Sequence, residues 1–259
     1  IILFDDVSND NSIEIIKKFK NIKLITNKKK KFSFAALNQI NALNECFKIS
    51  KGQIICLLDA DDFWMPNKIS TIIDHVNENG IENIFFSKVK MKYKDRFIGS
   101  RPSHFSPNKH ISEYLFLDDG FIQTSSIVCS KKIALEVMFD EKFQRHQDYD
   151  FVLRAFQIGI TFKFIKKELV IYRADLKPNT NKGEGYSFSK YWLSNMKQYM
   201  NEEGYWGFTT FSLTNKLIAD KNYKKAIFNL IKNMSSMKPR YISKVLIKFG
   251  RLFILYIKY

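Results

Sequence analysis

Three aspartates stand together at the end of an apolar run, and of all residues in the chain they are best placed for chemistry. Asp59, Asp61 and Asp62 follow residues 54–58, an apolar run that indicates a buried strand. Hard divalent cations such as Mg²⁺ and Mn²⁺ take oxygen ligands and usually keep open positions for substrate phosphates. The cluster therefore predicts a cation site that holds a diphosphate, and with it chemistry on phosphate esters.

A second acidic pair ends the first visible strand. Asp5 and Asp6 follow the apolar residues 1–4. In open α/β sheets, ligands bind beyond the carboxyl ends of the strands, so the two acidic strand ends can face one cleft. A turn with helix capping is the alternative interpretation of this pair when it is taken alone.

The elements that must position these carboxylates are visible in the first 170 residues, where short apolar runs alternate with amphipathic stretches. This alternation is typical of strand and helix units packed around a mostly parallel sheet, so we expect the α/β class. The expected strands cover residues 1–4, 22–26, 53–58 and 83–86. The expected helices cover residues 10–20, 34–50, 66–79 and 149–157.

The character of the chain changes after residue 178. A polar segment at 179–185 leads into a helical pattern that continues to the end, so we divide the chain into residues 1–178 and a helical C-terminal region at 179–259. Within residues 239–259, apolar residues share one helical face and basic residues lie elsewhere. Such a helix can lie on an anionic membrane surface; docking onto its own domain is the equal alternative.

Composition narrows the classes of partner. The net charge of +16 favours polyanionic partners, which include nucleic acid, anionic lipid and nucleotide-linked substrates. The sequence shows no helix-turn-helix, zinc-finger or RNA-binding aromatic signature, so we expect no nucleic-acid partner. Cys46, Cys56 and Cys129 lack metal-ligand spacing, and we interpret them as reduced cytosolic thiols. No run of about 18 apolar residues predicts a membrane-spanning helix.

Four motifs, in this order, resemble the enzymes of glycosyltransferase family 2, which use the GT-A nucleotide-sugar fold. The motifs are residues 1–12, residues 51–62, Gln123-Thr124-Ser125-Ser126, and residues 139–151. A single Asp-x-Asp is a weak signal, whereas four motifs in order are specific. The resemblance implies a metal-dependent inverting glycosyltransferase that moves a sugar from a nucleotide-sugar donor to a glycan acceptor in bacterial lipopolysaccharide or capsule synthesis.

The resemblance also implies roles for the matching aspartates. Asp5 and Asp6 would bind the donor, with Asp6 reading the nucleotide base. Asp59 would lie by the ribose or diphosphate, and Asp61, together with Asp59, would hold Mn²⁺ or Mg²⁺. Asp148 would be the catalytic base, at the start of a helix whose positive end favours a carboxylate.

Residues flanking these motifs are further candidates, and each has a structural alternative. Trp64 adjoins the acidic cluster and could stack on a sugar or base, while Arg173 could line the diphosphate. Three neighbours of the implied base could contact the acceptor or a phosphate, namely Arg145, His146 and Gln147.

The chain departs from the family pattern at several places. It opens at Ile1, inside an apolar run, so we expect that an upstream portion, with the family's usual first strand and helix, is missing from the visible sequence. Residues 43–46 replace the Arg-Asn-x-Gly that often precedes the acidic strand, and Gln147-Asp148 stands where Glu-Asp is common. Ala174 and Asp175 occupy the place where some relatives have a histidine.

The implied partners are a UDP-linked sugar donor, a glycan or lipid-linked glycan acceptor, and an anionic membrane surface contacted through residues 239–259. Such a protein would be cytoplasmic and peripheral at the inner face of the plasma membrane. One alternative is a module that binds sugar nucleotides or glycans without turnover. Another is a nucleotidyltransferase, although the visible sequence lacks the Gly-rich basic phosphate loop which that class would place near the first strand.

Overall fold

The computed structural model describes residues 1–174 and 185–257, with side chains described up to residue 250. The strands are β1 (Ile2–Asp5), β2 (Lys23–Thr26), β3 (Ile54–Cys56), β4 (Phe63–Trp64), β5 (Asn83–Tyr93), β6 (Arg96–Arg101), β7 (Val128–Ser130) and β8 (Thr161–Arg173). The helices of the first part are α1 (Ser12–Lys17), α2 (Ala35–Ile49), α3 (Lys68–Asn79), α4 (Ile111–Leu117), α5 (Lys131–Val137) and α6 (Gln147–Gln157). Those of the second part are α7 (Gly185–Met196), α8 (Glu202–Gly207), α9 (Leu213–Ala219), α10 (Tyr223–Met234) and α11 (Pro239–Ile257).

The strands form two sheets. β1 and β2 pair in parallel as a small sheet, and the other six form a sheet of order β3-β7-β5-β8-β4, with β6 paired to the far part of β5. The long strands β5 and β8 run parallel, from Asn83 opposite Thr161 to Lys92 opposite Arg173. β8 thereby carries Tyr172 and Arg173 to the sheet edge where β4 begins.

The α/β class is confirmed, while the expectation of a mostly parallel sheet needs correction. In the described part of the chain only β1–β2 and β5–β8 pair in parallel, and the pairings β3–β7, β4–β8, β5–β6 and β5–β7 are antiparallel. Apolar runs reveal strands but not their direction. The hairpin between β5 and β6 turns at Lys94, which has φ 52°, and Asp95, a pair without the Asn-Gly or Asp-Gly signal of tight hairpins.

One buried cluster lies between the main sheet and the surrounding helices. Phe86 of β5 stacks on Phe164 of β8, and Phe139 stacks on Phe151 of α6. The side chain of Asp150 is also buried in α6, where its carboxylate pairs with Arg154 at 2.5 Å. Because a buried charge needs such a partner, Asp150 has a structural role beside the implied base.

The C-terminal helices contribute to this same cluster. Trp192 of α7 and Phe208 are fully buried and pack against Phe116 of α4. The predicted boundary between residues 178 and 179 lies outside the described residues and stays a prediction. What the structure adds is that the helices after it share a core with the sheet region.

The basic amphipathic helix expected at the C-terminal end is α11. Its Tyr241 and Val245 are buried against α10 and α9, so one face docks onto the protein itself. Leu246 and Ile247 are exposed. Across the described residues, no helix is both long and apolar enough to cross a bilayer. Whether the exposed face binds a membrane surface stays a prediction.

Candidate active site

The acidic cluster occupies the short connection between β3 and β4. Because β3 pairs with β7 and β4 pairs with β8, the two ends of this connection are fixed on the sheet. The Asp62 N–H donates to the Asp59 carbonyl at 3.1 Å, which closes the turn. One ligand oxygen from each of Asp59, Asp61 and Asp62 can be chosen so that all three lie within 4.8 Å of one another.

A buried polar turn at Thr124–Ser126 holds this cluster in place. The Ser125 hydroxyl accepts the Asp59 N–H at 2.9 Å and donates to Asp62 Oδ2 at 2.7 Å. The Gln123 amide donates to Asp62 Oδ2 at 2.6 Å and to Asp59 Oδ2 at 3.1 Å. Each donor compensates part of the cost of burying a carboxylate.

The three aspartates differ in solvent exposure, and therefore in how readily each carboxylate could bind a ligand. Asp62 is 6% exposed, and its oxygens accept hydrogen bonds from Gln123, Ser125 and the Arg173 N–H. Asp61 is exposed, so its carboxylate is open to a ligand. Asp59 is intermediate in exposure, and its carboxylate accepts a hydrogen bond from the Gln39 amide of α2 at 2.7 Å.

Negative charge accumulates at this site. Burial raises the pKa of Asp59 to about 8, with further increases from the charges of Asp148, Asp62 and Asp61. Burial also raises the pKa of Asp62, against the lowering effect of the Ser125 hydrogen bond. A bound cation would relieve both effects because it stabilises the ionised carboxylates.

Asp148, the implied base, lies at the same site. It is the second residue of α6, and the Thr124 hydroxyl donates to its Oδ1. One polar turn therefore carries Thr124 against Asp148 and its neighbour Ser125 against the acidic cluster. Burial raises the pKa of the nearby Tyr172, and the charges of all four aspartates, 62, 61, 148 and 59, raise it further. Asp61 and Asp148 thus both lie close enough to Tyr172 to raise the pKa of its hydroxyl.

The residues present fit a divalent cation. Three carboxylates whose oxygens lie within 4.8 Å supply the hard ligands that Mg²⁺ and Mn²⁺ prefer. Asp61 is the most accessible of them, with Asp59 beside it. Asp62 and Asp59 both accept hydrogen bonds inside the site, so Asp61 is the carboxylate most open to a cation. The role of Asp59 as a second ligand stays a prediction.

Asp5 and Asp6 lie at the end of β1, outside the β3–β4 connection that carries the acidic cluster. Asp5 is buried and accepts the Ser8 N–H at 3.3 Å, while Asp6 accepts the Asn27 amide at 3.2 Å. Among the described residues, no hydrogen bond or ion pair joins this pair directly to the acidic cluster. The link is α2, which packs against β1 and places Gln39 on Asp59. Their role in donor binding stays a prediction.

Trp64 and Arg173 border the acidic cluster. The Trp64 ring is half-buried, and its Nε1 donates to the Ser125 carbonyl at 3.3 Å. The Arg173 N–H lies 3.4 Å from Asp62 Oδ1, so the residue is adjacent to the cluster through its backbone. Stacking by Trp64 and phosphate binding by Arg173 both stay predictions.

The three candidates before Asp148 lie at the junction with the C-terminal helices. His146 has φ 65° and stacks against Tyr149 at 5.6 Å between ring centres, while its Nε2 pairs with Ser189 at 2.8 Å. These contacts favour a packing role for the ring. Gln147 begins α6 and is half-buried. Burial lowers the pKa of Arg145, which feels the opposing influence of Asp220. A role in acceptor binding stays a prediction for all three.

Sequence reasoning assigned no role to several residues that organise the site. Thr124 and Ser125 belong to the motif at residues 123–126, and their polarity inside an apolar stretch is the signal that points to them. Lys68 gave none. Its side chain is fully buried, its Nζ donates to the Ser125 carbonyl at 3.2 Å, and burial lowers its pKa to about 8.

Comparison with known proteins adds a family and several relatives. The model of the family described as glycosyl transferase family 2 matches residues 1–138. The chain is 33% identical over 183 residues to amylovoran biosynthesis glycosyltransferase AmsB of Erwinia amylovora. That match covers 68% of this chain and 61% of AmsB, so the chain spans less than two thirds of that relative.

A shorter match and a solved structure complete the comparison. Over 87 residues the chain is 41% identical to the Escherichia coli enzyme UDP-Glc:alpha-D-GlcNAc-diphosphoundecaprenol beta-1,3-glucosyltransferase WfaP, covering 34% of this chain and 32% of WfaP. Mannosyltransferase PcManGT from Pyrobaculum calidifontis, solved with GDP-Man and Mn²⁺, superimposes with a TM-score of 0.55 at 10% identity. The superposition covers 98% of this chain and 71% of that one.

Proposed function

The chain belongs to glycosyl transferase family 2 and has the GT-A fold, and we propose that it transfers a sugar from a UDP-linked donor to a glycan acceptor with a divalent cation and with inversion at the anomeric carbon. The observation that carries the proposal is the convergence of the acidic cluster and Asp148 on one region, joined by the turn at Thr124–Ser126. Mn²⁺ is the cation we favour, because PcManGT was solved with it.

On the donor side, Asp61 and Asp59 would hold the cation. When bound, it would neutralise the charge that develops on the leaving diphosphate. Asp62 would hold the β3–β4 connection in place through its hydrogen bonds with Gln123 and Ser125. Arg173 and Trp64 would border the diphosphate and sugar, and Asp5 and Asp6 would contribute to the nucleotide side.

On the acceptor side, Asp148 would act as general base. Its carboxylate would take the proton of the acceptor hydroxyl while that oxygen forms a bond to the anomeric carbon and the bond from this carbon to the diphosphate oxygen breaks. The Thr124 hydroxyl orients Asp148, and the positive end of α6 favours its ionised form. Attack opposite the leaving group gives inversion.

The setting we propose is bacterial surface polysaccharide synthesis. The names of AmsB and WfaP support it, since the first refers to amylovoran biosynthesis and the second to an acceptor linked through a diphosphate to undecaprenol. A lipid-linked glycan would place the enzyme at the inner face of the plasma membrane. The net charge of +16 suits a peripheral position on anionic lipid.

A panel of UDP-linked and GDP-linked sugars tests this function. One donor should raise the melting temperature in the presence of Mn²⁺ and release free sugar slowly when no acceptor is present. Asp61→Asn should lose the Mn²⁺-dependent stabilisation, whereas Asp95→Asn, an exposed carboxylate in the β5–β6 turn, should retain it.

Each alternative gives a different result in the same panel. Stabilisation by a donor without hydrolysis or transfer to any acceptor would identify a binding module. Release of diphosphate from a nucleoside triphosphate would identify a nucleotidyltransferase. No response to any donor with Mn²⁺ would contradict the proposal.

A further inference from the structure

A cleft of about 700 Å³ lies between the sheet region and the C-terminal helices. Its walls come from α4 and the residues after it, from α9 and the segment before it, and from α11. Volumes of this order suit substrates of the size of a nucleotide or a substituted lipid head. None of the residues proposed to bind the donor lines this cleft.

The cleft adjoins the catalytic region through aromatic side chains. Tyr149, the residue after Asp148, lines it, and so does Phe121, whose ring lies edge-on to Tyr172 at 6.2 Å between centres. Burial raises the pKa of Tyr149, as does the neighbouring charge of Asp148. Tyr149 and Phe121 therefore place the cleft beside the residues that surround Asp148 and Tyr172.

One wall of the cleft is cationic. Lys244 and Lys248, four residues apart on α11, share a helical face and donate to the Leu117 carbonyl and to Asn215 Oδ1. Arg101 also lines the cleft and pairs with Asp119 at 2.5 Å. Among the described residues that line the cleft, three side chains are basic and one is acidic. Such a lining favours an anionic ligand such as a diphosphate.

The rest of the lining is largely apolar. Leu117, Phe211 and Ile247 contribute to the cleft, and Ile247 is 59% exposed, between the two lysines on the same helix. An exposed apolar side chain among lysines fits an amphiphile, because a purely polar ligand would leave it in water. The cleft therefore combines an anion site with an apolar surface.

We propose that this cleft binds the acceptor by its diphosphate and the adjoining isoprenoid units, with Lys244 and Lys248 on the diphosphate and Ile247, Phe211 and Leu117 against the isoprenoid chain. The inference deepens the proposed function and depends on it for the direction of sugar transfer. Binding of the lipid diphosphate does not depend on the proposed function and can be measured separately. The acceptor sugar would then point toward Tyr149 and Asp148.

Farnesyl diphosphate, without added divalent cation, is the probe for this site. We expect it to bind the wild type more tightly than farnesol or inorganic diphosphate, measured by titration calorimetry. Lys244→Gln/Lys248→Gln should weaken binding at least tenfold, and Ile247→Asp should also weaken it. Lys224→Gln/Lys232→Gln, which removes two exposed lysines of α10 outside the cleft, should have no effect.

The controls distinguish this inference from the proposed function. Asp61→Asn should leave farnesyl diphosphate binding unchanged; a loss there would locate the probe in the donor site and overturn the inference. Equal effects of the two lysine pairs would also overturn it, since they would show a general charge effect. If the cleft variant loses binding to phosphatidylglycerol vesicles but not to farnesyl diphosphate, the lysines serve a membrane surface and the inference is wrong. Donor hydrolysis by Lys224→Gln/Lys232→Gln should equal that of the wild type.

Discussion

Asp59 shows how one side chain can link the stability of this protein to its proposed chemistry. Its carboxylate sits beside two other acidic groups of the cluster and within the electrostatic influence of Asp148. Burial and these charges raise its pKa to about 8, so without a cation the protonated form dominates at neutral pH. The unfolded chain would hold the same carboxyl near its ordinary value of 3.8.

This difference predicts a pH dependence for the metal-free protein. Because the folded-state pKa lies above the unfolded one, the contribution of Asp59 is fully present below about pH 4 and is lost as pH rises through about 8. The free energy of unfolding of Asp59→Asn, taken relative to the wild type, should be higher at pH 8 than at pH 5 by at least about 1.4 kcal/mol, the value of one pKa unit. Urea unfolding measures both.

Asp95→Asn is the control for the loss of an exposed carboxylate, and it should track the wild type at both pH values. A gain from Asp59→Asn that is equal at pH 5 and pH 8 would show that the titration of Asp59 is not responsible.

At the residue scale, the sequence predicts the acidic cluster because three carboxylates directly follow a buried strand, whereas the role of Asp148 is what the resemblance to the family implies. It does not predict Lys68, a lysine at the start of α3 that is fully buried beneath Ser125. Burial of a lysine depends on which carbonyl and ring fold over it, here Ser125 and Trp64. Trp64 is close to Lys68 in sequence, but the contact with Ser125 joins residues 57 positions apart.

At the scale of elements, the packing of α8 on α4 depends on missing side chains. A Cβ on Gly204 would lie 2.0 Å from the Ser112 Oγ, and one on Gly207 would lie 2.7 Å from the Leu117 Cγ. Asn201 caps α8 and accepts the Ser112 hydroxyl at 3.0 Å, so the approach of the two helices is also fixed by hydrogen bonding. Leu117 is one wall of the proposed acceptor cleft.

We therefore expect Gly204→Ala to lower the free energy of unfolding by about 2 kcal/mol, the usual cost of overpacking. Gly250→Ala is the matched control, because a Cβ there meets no atom within 4 Å and α11 should gain about 0.5–1 kcal/mol from the better helix former. Chemical denaturation of both variants gives the comparison. Equal stability of the two variants would contradict the close packing of α8 on α4.

Element positions follow from sequence more readily than their pairing. The expected helix at 34–50 is α2 (Ala35–Ile49), and the expected strand at 22–26 is β2 (Lys23–Thr26), because hydrophobic periodicity is a local signal. The directions of β3, β4 and β7 are not local, since each is set by the strand it pairs with across the sheet. The turn at Thr124–Ser126 is likewise visible in the sequence as part of a motif. Its position between Asp148 and the acidic cluster is visible only in the structure.

At the scale of the whole molecule, the C-terminal helices and the sheet region share one core. Trp192 of α7 contacts the rings of Phe116, Tyr149 and His146 on the other side of the predicted boundary. The sequence suggested an appended helical region because its composition changes after residue 178. Composition cannot show that an appended helix completes the core of the part before it.

The shared core predicts that the sheet region and the C-terminal helices unfold together in a single cooperative transition. Trp192→Ala should lower its free energy of unfolding by about 3–5 kcal/mol, because a fully buried aromatic side chain is lost from the shared core. Phe228→Ala, at a position 65% exposed on α10, should change it by less than about 0.5 kcal/mol. Calorimetry that resolves two separate transitions would contradict a shared core.

The most direct test of the account is sugar transfer by Asp148→Asn in a single turnover, measured beside Mn²⁺-dependent donor binding. If the acidic cluster and Asp148 act on opposite sides of one reaction, the rate should fall by about 10²–10⁴, the usual worth of a general base, while donor affinity stays within about twofold. Asp95→Asn should behave as the wild type. Transfer by Asp148→Asn at the wild-type rate would contradict the account.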